Sequence, residues 1–166
     1  MRESGQRLIL PDAAATERLG EQLAHGLGDA LVSPPLMYSV IHLMGDLGAG
    51  KTTLVRGLLR ALGVQGLVRS PTYTLVEPYE VAKGTVVHID LYRLQSPREF
   101  ETLGLEDYLR PRHALLIEWP QRGGDAVPPP DLEIDLSYPE DAATGRVARL
   151  VHHTEAGRAL LTHVAV

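Results

Sequence analysis

The stretch GDLGAGKTTL, Gly45 to Leu54, constrains the fold of this chain more than any other. Gly45 and Gly50 bracket Asp46, Leu47, Gly48 and Ala49, and Lys51, Thr52 and Thr53 follow, completing the phosphate-binding P-loop pattern G-x-x-x-x-G-K-[ST]. Such a loop works by converging backbone N–H groups on phosphate oxygens. It needs glycine where a Cβ would block the approach, and a helix directly after it whose N-terminal dipole favours anions. A strand must therefore enter the loop and a helix must leave it. MYSVIHLM supplies an apolar, β-branched strand running into Gly45, and a helix is expected from about Thr52 to Leu62, stopping at Gly63. In this arrangement Lys51 reaches the β- and γ-phosphates of a nucleotide and the Thr52 hydroxyl ligates Mg²⁺. The alternative is a glycine-rich strand-to-helix turn with no ligand.

The bulk numbers leave room for one core around this loop. At 166 residues and 44% hydrophobic, the chain suits one domain better than two. A net charge of −5 with scattered basic residues argues against tight, direct nucleic-acid binding. With no cysteine, the fold cannot depend on disulfides or thiolate metal sites. No stretch approaches the roughly 20 apolar residues that span a bilayer, and the N-terminal apolar run is too short for a signal peptide. No membrane association and a cytoplasmic location are the expectations. Only two lysines, Lys51 and Lys83, stand against fourteen arginines, so Lys51 resists a strong bias. That suits a site needing a compact ammonium between phosphate oxygens.

Along the chain, RLILP reads as a strand, and Asp12 caps a helix with a buried stripe at Leu19, Leu23 and Leu27. Pro34 and Pro35 break the pattern. TYTLVEPYE and TVVHID read as two strands with a hairpin turn at Lys83-Gly84. SPREFETLGLEDYL opens a helix at Ser96, with Pro97 at its first position. ALLIEW is an apolar run ending in Glu118, followed by a Gly- and Pro-rich loop through Pro130. LEIDLSY and RVARLVHH alternate as strands, and EAGRALLTHV closes with a helix. His152 and His153 are adjacent on a strand and point to opposite faces, which argues against a shared metal.

A hydrolytic P-loop site also needs an acid at the end of a neighbouring strand. Asp90 ends TVVHID and Glu118 ends ALLIE, a run apolar enough for a central strand buried on both faces. Either acid could instead cap a helix or pair with an arginine. SPTYTLVEPY lies where many P-loop proteins carry a switch segment that feels the γ-phosphate, and Ser70, Thr72 and Tyr73 offer hydroxyls to it. A simple Pro71 turn opening a strand fits the spacing equally well.

GDLGAGKTTLVRGL, SPTYTLVEPY, HIDLYRL, LGLEDYL and LLIEWPQR together resemble, in that order and near that spacing, the bacterial TsaE (YjeE) family. These are small ATPases that support tRNA threonylcarbamoyladenosine biosynthesis. The likeness spans about Leu8 to Ser137, with no matching motif beyond. It implies a single α/β domain over residues 1–166, of P-loop NTPase-like topology, with a mixed, mostly parallel sheet flanked by helices. It also implies ATP and Mg²⁺ as cofactors and a complex of TsaB and TsaD as partner. ATP hydrolysis would then permit repeated threonylcarbamoyl transfer to adenosine 37 of tRNAs reading codons that begin with A, with tRNA met only through the complex. Carried over by residue, the resemblance implies that Gly45 to Thr53 cradle the phosphates and that Thr52 and Glu118 hold Mg²⁺. Asp90 assists the metal or the attacking water, Lys51 contacts the phosphates, and Thr72 with its neighbours forms the switch. Trp119 would lie beside the metal site, or else pack in the core. LGLEDYL is either structural or part of the partner face. The rival reading is a P-loop kinase of a small metabolite, for which Arg110 to His113 is the one candidate lid; a nucleotide-dependent binding module is a further alternative.

Overall fold

The computed structural model describes residues 5–33 and 38–165. Its strands are β1 (Gln6–Leu10), β2 (Ser39–Met44), β3 (Val76–Val81), β4 (Gly84–Asp90), β5 (His113–Glu118), β6 (Leu132–Ser137) and β7 (Arg146–His152). Its helices are α1 (Ala13–Val32), α2 (Lys51–Ala61), α3 (Pro97–Glu101) and α4 (Glu155–Leu160), with 3₁₀ turns at Leu105–Tyr108 and Pro120–Ala126. All seven strands join one sheet in the order β1-β7-β6-β2-β5-β4-β3. The four central strands, β6, β2, β5 and β4, are mutually parallel, and β7 and β3 pair antiparallel to their neighbours. The fold is thus the α/β class expected, a mixed, mostly parallel sheet with helices on it.

Alternation along the central strands divides the core. Ile41, Leu43, Val86, Ala114, Leu116 and Ile134 face α1 and α2, whereas Val40, Val87, Ile89, Leu115 and Ile117 pack against Phe100 and Leu105. Leu19, Leu23 and Leu27 are buried on α1 as their spacing predicts, and the Asp12 carboxylate accepts the Ala15 N–H at 2.8 Å as the helix cap. α1 and α2 approach closely through two glycines: a Cβ on Gly20 would lie 2.1 Å from the Leu54 carbonyl oxygen, and one on Gly57 would lie 2.2 Å from that of Glu17. This contact seats the helix that follows the P-loop.

Several expectations need correction. The hairpin between β3 and β4 turns on Ala82 and Lys83, so Gly84 is already in β4. β3 starts only at Val76, because Thr72 to Leu75 form a turn closed by Leu75 N–H to Pro71 O at 2.7 Å, with Leu75 at φ 68°. The segment after Ser96 is two short pieces, broken at Gly104, which takes φ 68°. Ser96 caps through its backbone, while its side chain makes no capping hydrogen bond. Pro34 and Pro35 lie outside the described residues. β7 ends at His152, so His153 lies just past the strand, its Nε2 3.7 Å from the Glu133 carboxylate.

Candidate functional site

Parallel strands bring their C-terminal ends to one edge of the sheet, the edge where open α/β sheets bind ligands. β2 ends there in the P-loop. In register beside it, Leu43 lies opposite Glu118, and Glu118 lies opposite Asp90, so both acids end their strands level with the loop. Gly45, Gly48 and Gly50 take φ of 135°, 78° and 108°, and a Cβ on Gly45 would sit 2.4 Å from the Leu136 carbonyl oxygen. The sequence Gly-x-x-Gly-x-Gly is therefore what the turn's geometry demands. The α2 helix begins at Lys51, one residue earlier than predicted, with Gly50 as its N-cap.

One hollow of about 270 Å³ is lined by Leu47 to Thr53 together with Ser70, Thr72, Asp90, Glu118 and Trp119. Nearly every residue singled out in the sequence meets here. Gly45 and Asp46 complete the loop, and their carbonyls accept hydrogen bonds from the Lys51 ammonium, that to Asp46 at 3.5 Å. The same ammonium lies 4.2 Å from the centre of the Trp119 ring. Burial drives the Lys51 pKa down, against the opposing pull of Glu118, Asp90, Asp46 and Asp135. Trp119 takes φ 56°, which turns the chain sharply after Glu118 and sets its ring 5.0 Å from that of Tyr92.

Asp90 is held on both oxygens. Oδ1 accepts the Tyr92 N–H at 2.9 Å, and Oδ2 faces the hydroxyls of Thr72 at 3.1 Å and Ser70 at 3.4 Å, which are 2.7 Å apart, so that one donates to the other and the other to Oδ2. Thr72 is thereby tied to the strand-end acid, and the Asp90 N–H to Leu75 O bond at 2.9 Å tethers the same segment. Tyr73 turns away, 80% exposed, with the Arg93 guanidinium 4.1 Å above its ring. Arg110 to His113 precede and open β5, at the sheet edge remote from the P-loop. They cannot close over phosphates bound there.

Two residues that sequence reasoning missed support the loop from behind. Arg146 donates from Nε to the Ala49 carbonyl at 3.1 Å and from Nη2 to the Gly48 carbonyl at 3.0 Å. Its guanidinium stacks 4.2 Å from the Tyr138 ring centre, and the Tyr138 hydroxyl donates to Gly48 O at 3.3 Å. Together Arg146 and Tyr138 hold the loop by its Gly48 and Ala49 carbonyls. A second hollow of about 140 Å³, lined by Asp12, Ala13, Thr16, Gly145 and Arg146, shares Gly48, Gly50 and Thr53 with the first. Neither alone reaches the roughly 300 Å³ usual for a small-molecule site, but they adjoin along the loop. A separate groove of about 310 Å³ lies by the β3–β4 turn and the α2 C-terminus and carries no P-loop residue.

The family model described as "Threonylcarbamoyl adenosine biosynthesis protein TsaE" matches residues 10–148. The chain is 40% identical over 153 residues to the "tRNA threonylcarbamoyladenosine biosynthesis protein TsaE" of Haemophilus influenzae, covering 92% of this chain and 93% of that protein. The protein of the same name from Synechocystis is 44% identical over 126 residues, 74% of each chain. The crystal structure of Bacillus subtilis YdiB superposes with a TM-score of 0.74 at 23% identity, over 95% of this chain and 91% of that one, a likeness of fold. On the extent of these matches, the chain belongs to the TsaE family.

Proposed function

We propose that this chain is a Mg²⁺-dependent ATPase that supports threonylcarbamoylation of adenosine 37 in tRNAs reading codons that begin with A. It acts as one cytoplasmic domain together with TsaB and TsaD, and it meets tRNA only through that complex. The names of its relatives tie the family to tRNA threonylcarbamoyladenosine biosynthesis. The observation that carries hydrolysis is the convergence of Lys51, Thr52, Asp90 and Glu118 on one hollow.

The donor set fits Mg²⁺. Among the described residues no group of three or more His, Cys, Asp or Glu could hold a metal, so a protein-only cage is absent. Mg²⁺ instead favours one or two carboxylates completed by water and substrate phosphates. Thr52 and Glu118 would hold it here, and bound there it would neutralise charge on the β- and γ-phosphate oxygens. The chain's own work is to bind and orient. The loop N–H groups cradle the phosphates, Lys51 exchanges the Gly45 carbonyl for phosphate oxygens, and Asp90 orients the attacking water while holding Thr72.

Incubation with labelled ATP and Mg²⁺, with and without TsaB and TsaD, tests the reading. Inorganic phosphate supports it, a phosphorylated metabolite would establish a kinase, and neither would leave a binding module. The acids are expected to separate. Glu118→Ala should raise the Mg²⁺ concentration needed for half-maximal activity, whereas Asp90→Ala should chiefly lower turnover at saturating Mg²⁺. The reverse pattern would exchange their roles. Arg146→Ala removes three charge-assisted hydrogen bonds, two of them to the P-loop carbonyls, each worth about 1.5–3 kcal/mol when fully buried and less at this half-buried position. Nucleotide binding by calorimetry is expected to weaken about tenfold, equivalent to ~1.4 kcal/mol. Arg146→Lys should not restore it, because an ammonium lacks the fork that spans two carbonyls. Wild-type affinity in Arg146→Ala would show that the loop holds its shape unaided.

A further inference from the structure

Asp90 and Glu118 are both buried, yet they are anchored differently. Asp90 is anchored on both oxygens, by the Tyr92 N–H and by the hydrogen-bonded hydroxyl pair of Ser70 and Thr72. Glu118, only 2% exposed, accepts one among the described residues, from His88 Nε2 to Oε2 at 3.1 Å. A carboxylate cannot donate, so Nε2 brings the hydrogen. His88 is itself fully enclosed, and its Nδ1 is buried with no hydrogen-bond partner. An orphaned buried polar atom is a cost that an apolar residue would avoid. Val86, His88 and Asp90 alternate onto one face of β4, with His88 opposite Leu116 and Asp90 opposite Glu118. Packing alone calls for another Val or Leu at position 88. What the imidazole adds is, among the described residues, the single donor that reaches the Glu118 carboxylate.

We propose that His88 is a positioning residue for Glu118. Its Nε2–H pins Oε2 from beneath, so that Oε1 alone is presented to the phosphate hollow. A glutamate otherwise has three rotatable bonds, and a buried one with no anchor could turn either oxygen, or neither, toward a cation. The inference rests on Glu118 serving the metal, and ligating carboxylates commonly depend on such outer hydrogen bonds, whose loss weakens metal affinity about 10–100-fold.

The test measures Mn²⁺ binding to the protein–ADP complex by electron paramagnetic resonance, alongside metal-free ADP binding by calorimetry. His88→Leu is expected to bind Mn²⁺ at least about tenfold more weakly with metal-free ADP affinity unchanged, and His88→Gln, whose amide can still donate, to recover most of the loss. Adding His88→Leu to Glu118→Ala should cost nothing more, since the histidine acts only through that carboxylate. Wild-type Mn²⁺ affinity in His88→Leu, with Glu118→Ala impaired, overturns the role of His88 alone. Wild-type affinity in Glu118→Ala overturns the underlying assignment and the inference with it. A measurement on the unaltered protein covers a variant that fails to fold. The Nε2-bound proton of His88 should shift in the NMR spectrum when Mg²⁺ joins the ADP complex, and a proton that does not move contradicts the proposal.

Discussion

Lys51→Ala is expected to bring ATP hydrolysis to background while the nucleotide-free protein keeps its fold and loses no thermal stability. The side chain is 6% exposed, and its ammonium rests on the Gly45 and Asp46 carbonyls and against Trp119. Its lowered pKa has burial as the leading cause, so the folded protein holds this charge at a cost, which the four nearby acids only partly offset. The unfolded chain keeps the lysine proton to higher pH than the folded one. The cost is therefore complete below the lowered folded value and is relieved as pH rises toward the ordinary lysine range. Wild-type stability should gain on that of Lys51→Ala only at alkaline pH. For catalysis the sign is opposite, because the ammonium would stabilise charge on the transferring phosphate. Losing one preorganised donor of this kind costs about 10²–10³ in turnover. Phosphate release, melting by circular dichroism and Trp119 emission check the three parts. MgATP should change the emission of the wild type and leave that of the variant flat. Hydrolysis at the wild-type rate by Lys51→Ala would remove the P-loop from the account.

The parts of the site that were legible in the sequence are those where local geometry dictates residue type. The P-loop glycines are required by positive φ at Gly45, Gly48 and Gly50, and a strand end is visible where an apolar run stops at Asp90 or Glu118. The turn at Thr72 to Leu75 was read as strand because its cause is tertiary: the hydroxyls of Ser70 and Thr72 are drawn to Asp90, eighteen or more residues on. Arg146 was invisible for a related reason. Its partners are backbone carbonyls of Gly48 and Ala49, which leave no side-chain pattern, and it is one of fourteen arginines. His88 did carry a signal. It interrupts an apolar run two positions before Asp90, on the same face of the strand, and a period-two reading of TVVHID would have paired it with the site.

Hydrolysis by this chain alone is expected to be slow, and to rise when TsaB and TsaD assemble with it. Phosphoryl transfer depends on positioned positive charge, and among the described residues no arginine lines the hollow that holds Lys51, Thr52, Asp90 and Glu118. Arg93 lies over the exposed Tyr73 ring, and Arg122 lies 5.9 Å from the centre of Trp119. Stacked in this way, neither lines the phosphate hollow. A partner could complete it by supplying a cation, or by capturing Tyr73 and releasing Arg93 while it reorders the Ser70–Leu75 turn. That turn is poised for the second route: Leu75 holds a left-handed conformation unfavourable for a branched residue, and Thr72 is tied to Asp90 by one side-chain bond. An arginine delivered to a P-loop site raises turnover by about 10³–10⁵, which bounds the stimulation from above. The measurement is steady-state phosphate release by the chain alone, with TsaB, with TsaD and with both, repeated with Arg93→Ala. Stimulation lost in Arg93→Ala with its slow intrinsic rate intact identifies Arg93 as the released charge, whereas stimulation retained assigns the cation to a partner. If the full mixture hydrolyses ATP no faster than the sum of its parts although the complex forms in a pull-down, partner-gated hydrolysis is wrong.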